Sequence, residues 1–226
     1  MAQRRKLQEK VSRLWSRNLA YAIELITSDG CLNSDKRHIS IVSADAEMIN
    51  NFKVALGIIN KVTRHYRSNE KEKRYYTVTF GDIAFYEFLN GLGVTAAKSR
   101  TIKSVDVPEI YFSDFVRGVF DGDGSFYTFW DKRWPSSFGF KTSFASASKD
   151  FIQWLQARLT AYYGVKGYLH KGAGVINLEY VKSDSLKLFN VMYGGLEGSL
   201  FLRRKYLKMK AALEFDKSLK AAVAQW

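Results

Sequence analysis

Two aspartates, each followed by glycine at the end of an apolar segment, have the type and spacing to do chemistry together. Asp29 closes AIELITSDG and Asp123 closes VRGVFDGDG, 123 − 29 = 94 positions later in a chain of 226 residues. If the two segments are helices packed side by side, their ends bring both carboxylates together. Paired carboxylates form a hard oxygen site that suits Mg²⁺ better than zinc. Beside a phosphate, such a cation lowers the pKa of water and stabilises a leaving oxygen.

Two simpler explanations of the Asp-Gly pairs compete with a shared site. A calcium loop of the EF-hand type would use Asp121, Asp123 and Ser125 as its positions 1, 3 and 5. Positions 6 and 12 would then be Phe126 and Lys132, where that loop requires Gly and Glu, so it is excluded. An Asp-Gly pair can also simply end a helix. Two aligned pairs in a chain of net charge +13 favour a shared site over that explanation.

An internal repeat organises the elements that must position the aspartates. IVSADAEMINNF follows the first pair and FASASKDFIQWL follows the second, and each reads as an apolar strand, a Ser-x-Asp sequence and a helix. Aligning Ser43 with Ser148 gives separations of 43 − 29 = 14 and 148 − 123 = 25, and hence an insertion of 11 residues in the second copy. The sequence predicts an α+β fold of two pseudo-symmetric αββαββα repeats, with antiparallel sheets forming a saddle and the Asp-Gly helices paired at its centre. The predicted boundaries are 13–103 for the first repeat, 104–112 for a linker, 113–212 for the second repeat and 213–226 for a C-terminal helical tail.

Charge and strand alternation together favour a nucleic-acid partner. Lys plus Arg is 35 and Asp plus Glu is 22, and the pI is 9.7. A surplus of this size favours a polyanion, although a merely basic protein remains an alternative. In a predicted hairpin over 61–67 and 73–80, residues alternate with period two, so that one face packs and the other is wet. An ordinary solvated face explains this hairpin equally well. The DNA-contacting residues predicted from such faces are Lys36, His38, Lys61, His65, Arg67, Tyr75, Lys141, Ser143, Lys166, His170 and Asn177.

Several classes of protein are excluded by composition. Cys31 is the only cysteine, which excludes an internal disulfide and a multi-cysteine zinc site. The three histidines lie far apart and lack metal-ligand spacing. No apolar run approaches the roughly 20 residues of a membrane span. We therefore expect a soluble intracellular protein, cytoplasmic or organellar.

The segments LAYAIELITSDG (19–30) and DFVRGVFDGDG (114–124) resemble the repeated motif of the LAGLIDADG homing endonucleases, in their monomeric two-repeat type. The stretches SADAEM, SASKDF, LGVTAAKS and LFLRRKY also resemble family features, and the resemblance extends from about 15 to 210. It implies a site-specific endonuclease that hydrolyses both strands of DNA and leaves staggered 3′ overhangs. It implies Mg²⁺ or Mn²⁺ as the cofactor, with Ca²⁺ able to occupy the sites without supporting cleavage, and double-stranded DNA as the partner.

The resemblance also assigns roles to individual residues. Asp29 and Asp123 are the penultimate acids expected to bind metal, with Ser28 and Gly122 beside them. Small residues, Gly118 among them, are expected where the two helices pack. The remaining expected catalytic residues are Lys98, its second-half partner Arg204 or Lys205, and Ser43 and Ser148 as polar residues that position water.

Glu24 departs from the family pattern, because it aligns with Gly118, where the family usually has a small residue. A glutamate in a helix–helix seam is costly to bury unless it is paired. We expect either that Glu24 lies at the edge of the seam and meets Arg117, or that the helices splay there.

A protein of another class could use the same scaffold, because a fold does not guarantee a chemistry. The alternatives are an RNA-binding splicing maturase, whose partner would be intron RNA, and a DNA-binding protein without nuclease activity. Loss of one aspartate would indicate such a change of function, and this sequence retains both.

Overall fold

The first half of the chain begins with the helix that ends at the first Asp-Gly pair. A computed structural model describes residues 10–67, 70–134 and 137–223. Ser16 starts the first helix by accepting a hydrogen bond from the Leu19 amide, as favourable N-cap residues do. The elements of this half are α1 (Arg17–Asp29), β1 (Gly30–Leu32), β2 (His38–Ser43), α2 (Ala46–Leu56), β3 (Val62–Arg67), β4 (Glu70–Gly81) and α3 (Ile83–Gly91).

The second half repeats this order and adds one long helix. Its elements are α4 (Phe112–Asp123), β5 (Gly124–Trp130), β6 (Phe138–Ser146), α5 (Lys149–Tyr163), β7 (Tyr168–Lys171), β8 (Ile176–Val181), α6 (Lys182–Tyr193) and α7 (Arg203–Val223). Each half is thus αββαββα, and the predicted α+β fold of two repeats is confirmed. α7 runs across residue 213, where the sequence places the start of a tail.

The two halves form separate four-stranded antiparallel sheets with the same strand order, β1-β2-β4-β3 and β5-β6-β8-β7. The glycines after the two aspartates occupy equivalent places, because Gly30 pairs with Ile41 and Gly124 pairs with Phe144. Left-handed glycines end the second helix of each half, Gly57 at φ 65° and Gly164 at φ 63°. The two repeats therefore match residue by residue near the central helices.

This match corrects the repeat alignment made from the sequence. Ser43 ends β2 two residues after the partner of Gly30, and Ser146 ends β6 two residues after the partner of Gly124. Ser146, not Ser148, is therefore the counterpart of Ser43. The insertion is (146 − 123) − (43 − 29) = 9 residues, not 11. The Ser-x-Asp sequence of the second half begins at Ser148, two residues beyond the position that strand pairing makes equivalent to Ser43.

Strand alternation divides each sheet into a packed face and an open face. In the second sheet, Phe126, Phe140 and Leu178 are buried in the core. The register pairs Tyr127 with Lys141 and His170 with Asn177 on the opposite face. The second sheet therefore has the solvent-facing polar surface that the sequence predicts. Across the described ranges, no helix is long and apolar enough to cross a membrane.

Candidate active site at the paired helix ends

The central helices α1 and α4 pack through the glycines of the second repeat. A Cβ atom added at Gly118 would lie 2.9 Å from the backbone oxygen of Tyr21, and one at Gly122 would lie 2.5 Å from Oγ of Ser28. Only glycine permits so close an approach of another backbone. Because the two helices end at Asp29 and Asp123, this seam brings those two residues to neighbouring helix ends.

Asp29 and Asp123 interact across the helix ends. Burial and, after it, the charge of Asp29 together raise the pKa of Asp123 to about 6, against the opposing influence of Lys205 and Lys98. Burial also raises the pKa of Asp29, again against Lys205 and Lys98. Both residues nevertheless keep solvent-exposed surface. The nearby lysines do not fully offset the cost of ionising these two carboxyl groups, and both can be reached from solvent. They are therefore suited to bind a cation, whose charge would favour their ionised forms.

Lys98 and Lys205 lie in equivalent positions of the two repeats. Lys98 Nζ donates to the carbonyl oxygen of Gly30, and Lys205 Nζ donates to that of Gly124 at 2.7 Å. Lys205 also donates to the oxygens of Phe120 at 2.6 Å and Asp121 at 2.8 Å. Lysines at these places satisfy carbonyl groups that a helix C-terminus leaves unpaired. The partner of Lys98 is therefore Lys205 and not Arg204.

The ammonium groups of Lys98, which is buried, and Lys205, which is half-buried, have perturbed pKa values. Burial lowers the pKa of Lys205 to about 8, while the nearby acids, Asp121 first, oppose the shift. Burial likewise lowers the pKa of Lys98, against Cys31, Glu24 and the two aspartates. Arg204, by contrast, is exposed and forms an ion pair with Asp45, with a distance of 2.8 Å between Nε and Oδ2.

The two serines assigned to water positioning have structural partners. Ser148 is buried and caps α5, where its hydroxyl accepts from the Phe151 amide at 3.3 Å and donates to the carbonyl of Ile102. This capping role corrects the expectation for Ser148. Ser43 accepts a hydrogen bond from the Asp45 amide at 3.0 Å, and its true counterpart Ser146 accepts one from the Ser148 amide at 3.1 Å.

Glu24 lies inside the helix seam and is 1% exposed. Both expectations for it are wrong. It does not pair with Arg117, whose guanidinium binds Asp114 and the carbonyls of Met192 and Leu200. The helices do not splay either, because a Cβ at Gly118 would lie 2.8 Å from Cβ of Glu24. Burial, followed by the charges of Asp123 and Asp29, raises the pKa of Glu24 well above its ordinary value.

Asp121 is a site residue that the sequence comparison passed over. It is fully buried and accepts hydrogen bonds from the Tyr21 hydroxyl at 2.8 Å and the Leu202 amide at 2.7 Å. Burial raises its pKa to about 6. Asp121 thereby ties both central helices to the start of α7 and so positions Lys205. The signal for it was the first acid of the sequence DGDG (121–124), but this acid aligns with Thr27 in the first repeat and so has no acidic counterpart there.

On the open face of the second sheet, a carboxylate gathers several predicted DNA contacts. Glu179 Oε2 accepts from Lys141 Nζ at 2.9 Å and from the Tyr168 hydroxyl at 2.7 Å. Nε2 of His170 lies 3.8 Å from Oε1. Glu179, Lys141 and Tyr168 line a groove of about 460 Å³ together with Asn177. Glu179 is not among the residues that the sequence predicts to contact DNA.

The other predicted contacts vary in accessibility. Tyr75 and Ser143 are buried, which differs from the exposed positions expected for them. The side chains of His65 and Arg67 lie outside the described residues. Lys36, Lys61 and Lys166 are exposed, and the ring Nδ1 of His38 is within hydrogen-bonding distance of the Asp35 carboxylate.

A metal at the helix ends would need ligands from elsewhere. Within the described ranges, no three Asp, Glu, His or Cys side chains are grouped closely enough to hold one cation. Asp29 and Asp123 are oxygen donors of the kind that Mg²⁺ and Mn²⁺ prefer, and both can be reached from solvent. The donor set fits a divalent cation that takes its remaining ligands from water or from a phosphate.

Known proteins share the fold. Residues 4–93 match the family described as the LAGLIDADG-like domain, while none of the curated protein sequences matches the chain.

The homing endonuclease I-WcaI, solved bound to its DNA recognition sequence, has a TM-score of 0.62 at 11% identity over 86% of this chain and 86% of its own. The endonuclease I-DmoI in complex with DNA and Mn has a TM-score of 0.52 at 15% identity over 79% of this chain and 97% of its own. Full-length WhiA from Thermatoga maritima has a TM-score of 0.57 at 14% identity over 95% of this chain and 68% of its own. The chain thus contains a LAGLIDADG-like domain at residues 4–93 and has the two-repeat fold of the LAGLIDADG homing endonucleases, as its sequence predicts.

Proposed function

We propose that this protein is a site-specific endonuclease that hydrolyses both strands of a DNA duplex with the help of a divalent cation. The observation that carries the proposal is the pair of exposed carboxylates, Asp29 and Asp123, at the neighbouring ends of α1 and α4. Each repeat contributes one carboxylate and one lysine that donates a hydrogen bond to the carbonyl oxygen of the glycine after that carboxylate. A site built twice, once from each repeat, suits a substrate with two strands.

Asp29 and Asp123 would hold Mg²⁺ or Mn²⁺, with Ser28 and Gly122 beside them in the same two helix ends. When bound, the cation would supply Lewis-acid activation of water and stabilisation of the leaving oxygen. The relative I-DmoI was solved with DNA and Mn, which supports this choice of metal. Lys98 and Lys205 hold the helix ends in place through backbone carbonyls and add positive charge next to the position proposed for the phosphate.

We infer that the open faces of the two sheets bind the duplex. The net charge of +13 provides the sequence-independent attraction to phosphates. In the second sheet, Lys141, Tyr168 and His170 surround Glu179, so a groove with both donors and an acceptor faces outward. Such a mixture can distinguish base edges. The relative I-WcaI was solved bound to its recognition sequence.

A double-strand cut would be staggered if each carboxylate acts mainly on one strand, and we expect 3′ overhangs. The test is a plasmid library with a randomised insert, incubated with the protein and Mg²⁺, followed by sequencing of the cut ends. The proposal predicts one preferred site, cut on both strands, and loss of double-strand cutting in Asp29→Asn and Asp123→Asn. Asp106→Asn is the matched control, because Asp106 is exposed and lies outside the site.

A second candidate is a protein that binds nucleic acid without cutting it. The match to WhiA, which covers 95% of this chain, favours it, because the same fold occurs in a protein that is not named as an endonuclease. RNA binding belongs to this candidate too. Sequence-selective binding of DNA or RNA that is unchanged in the Asp29→Asn and Asp123→Asn variants, with no cleavage in Mg²⁺ or Mn²⁺, would decide for it and against the nuclease.

A further inference from the structure

Glu24 is a third carboxyl group close to the proposed cation site. It lies on α1, five positions before Asp29, since 29 − 24 = 5, which corresponds to about 7.5 Å along a helix. Its Oε2 atom lies 3.2 Å from where a Cβ of Gly118 would be and 3.6 Å from where a Cβ of Gly122 would be. The carboxyl group therefore sits between the two glycines of α4, on the approach to Asp123.

The Oε2 atom of Glu24 is buried and has no hydrogen-bond partner. An unsatisfied carboxyl oxygen inside a protein is costly, and most buried polar atoms have partners. The nearby lysines do not bond to it, because Lys98 and Lys205 donate to backbone carbonyls. If all five groups are charged, the net charge of the three acids and the two lysines is −3 + 2 = −1.

Packing alone does not account for a glutamate at this position. The aligned position of the second repeat is Gly118, and a Cβ there would lie 2.8 Å from Cβ of Glu24. The seam therefore has room for one side chain at this level, and an apolar side chain would fill that room without burying an unpaired carboxyl oxygen. The electrostatic influences on Glu24 come first from Asp123, then from Asp29, and only then from Asp121. The carboxyl group is thus most strongly coupled to the two residues of the cation site.

We propose that Glu24 is a third acid of the cation site at Asp29 and Asp123, which strengthens cation binding through its charge from within the seam. It is a positioning residue and not a direct ligand, since no three acids in the described ranges converge on one point. Neighbouring carboxylates repel one another, and a bound cation offsets this repulsion. The surroundings that disfavour the ionised form of Glu24 therefore favour it once the cation is bound. This inference rests on the proposed function.

The test is a Mn²⁺ titration of the full chain, with free Mn²⁺ counted by electron paramagnetic resonance. Glu24→Gln keeps the shape of the side chain and removes its charge, and we expect it to weaken Mn²⁺ binding by about tenfold, as loss of an outer-shell group typically does. Asp29→Asn should weaken binding at least as much. Glu214→Gln is the matched control, because Glu214 is exposed on α7. Melting curves without Mn²⁺ establish that each variant is folded.

The outcomes separate this inference from the proposed function. A tenfold loss in Glu24→Gln with none in Glu214→Gln supports the inference. Unchanged affinity in Glu24→Gln, while Asp29→Asn loses Mn²⁺, overturns the role of Glu24 alone. Equal losses in Glu24→Gln and Glu214→Gln also overturn it, because the effect would then be one of overall charge. If the wild-type chain binds no Mn²⁺, the metal site itself fails, and the proposed function fails with it. Should Glu24→Gln not fold, Glu24→Ala, which resembles the second repeat, is measured in its place under the same criteria.

Discussion

Replacing Gly118 by alanine would test whether close contact of α1 and α4 holds the two aspartates together. The added Cβ would lie 2.8 Å from Cβ of Glu24 and 2.9 Å from the backbone oxygen of Tyr21. Overpacking costs up to about 3 kcal/mol where the neighbours cannot yield, and a backbone oxygen yields poorly. Alanine also favours the helical conformation over glycine by about 1 kcal/mol, which offsets part of this cost. The net loss of stability is therefore about 2 kcal/mol.

For a chain of this size, a loss of about 2 kcal/mol lowers the melting temperature by roughly 4–8 °C. Circular dichroism melting measures it. Gly91→Ala is the control, because Gly91 ends α3 and a Cβ there would meet nothing within 4 Å. That variant should melt at the same temperature as the wild type or a few degrees higher. Cleavage by Gly118→Ala should also fall, since small displacements of catalytic groups are costly. Equal melting temperatures for Gly118→Ala and Gly91→Ala would refute the tight seam.

Four further predictions concern the site and the DNA. Replacing Asp29 alone by asparagine should slow the two cuts unequally, so that nicked plasmid exceeds linear plasmid; equal slowing of both cuts would contradict a division of labour between the halves. Without divalent cations, thermal stability should rise as the pH falls from about 7 to 5. Asp121 and Asp123 each have a pKa of about 6 in the folded protein, against an ordinary aspartate pKa of 3.8, so over this range the folded state binds more protons than the unfolded chain does. Asp123→Asn should make the dependence of stability on pH shallower. Lys205→Met should destabilise the protein by about 1–3 kcal/mol, because buried carbonyls lose their donor, whereas Arg204→Met should change stability by less than about 0.5 kcal/mol in denaturant titrations. DNA affinity measured by fluorescence anisotropy should fall steeply as salt rises, and a flat dependence would argue against many phosphate contacts.

The sequence predicted those parts of the structure that depend on local patterns. The Asp-Gly pairs indicated both helix ends, and the alternation around Lys141 and His170 gave the open face of the second sheet. The two-repeat order of helices and strands also followed from local signals. The resemblance to a known family indicated Lys98, and it left Lys205 and Arg204 as alternatives for its partner.

Features that depend on long-range packing were predicted poorly. The surroundings of Glu24 are set by Gly118 on the other central helix, and Asp121 is held by the amide of Leu202, 81 residues away. The role of Ser148 was mistaken because the Ser-x-Asp sequence of the second half begins two residues beyond the counterpart of Ser43, and only strand pairing and the capping contact to Phe151 reveal this shift. Neither kind of contact leaves a periodic trace in one sequence.

The most direct measurement is the anomalous scattering of Mn²⁺ in crystals of the protein bound to the DNA site recovered from the plasmid library. The account predicts anomalous peaks beside the carboxylates of both Asp29 and Asp123, within coordination distance of backbone phosphates from the two strands. Peaks confined to other surfaces, or DNA bound with no Mn²⁺ at either aspartate, would contradict the account.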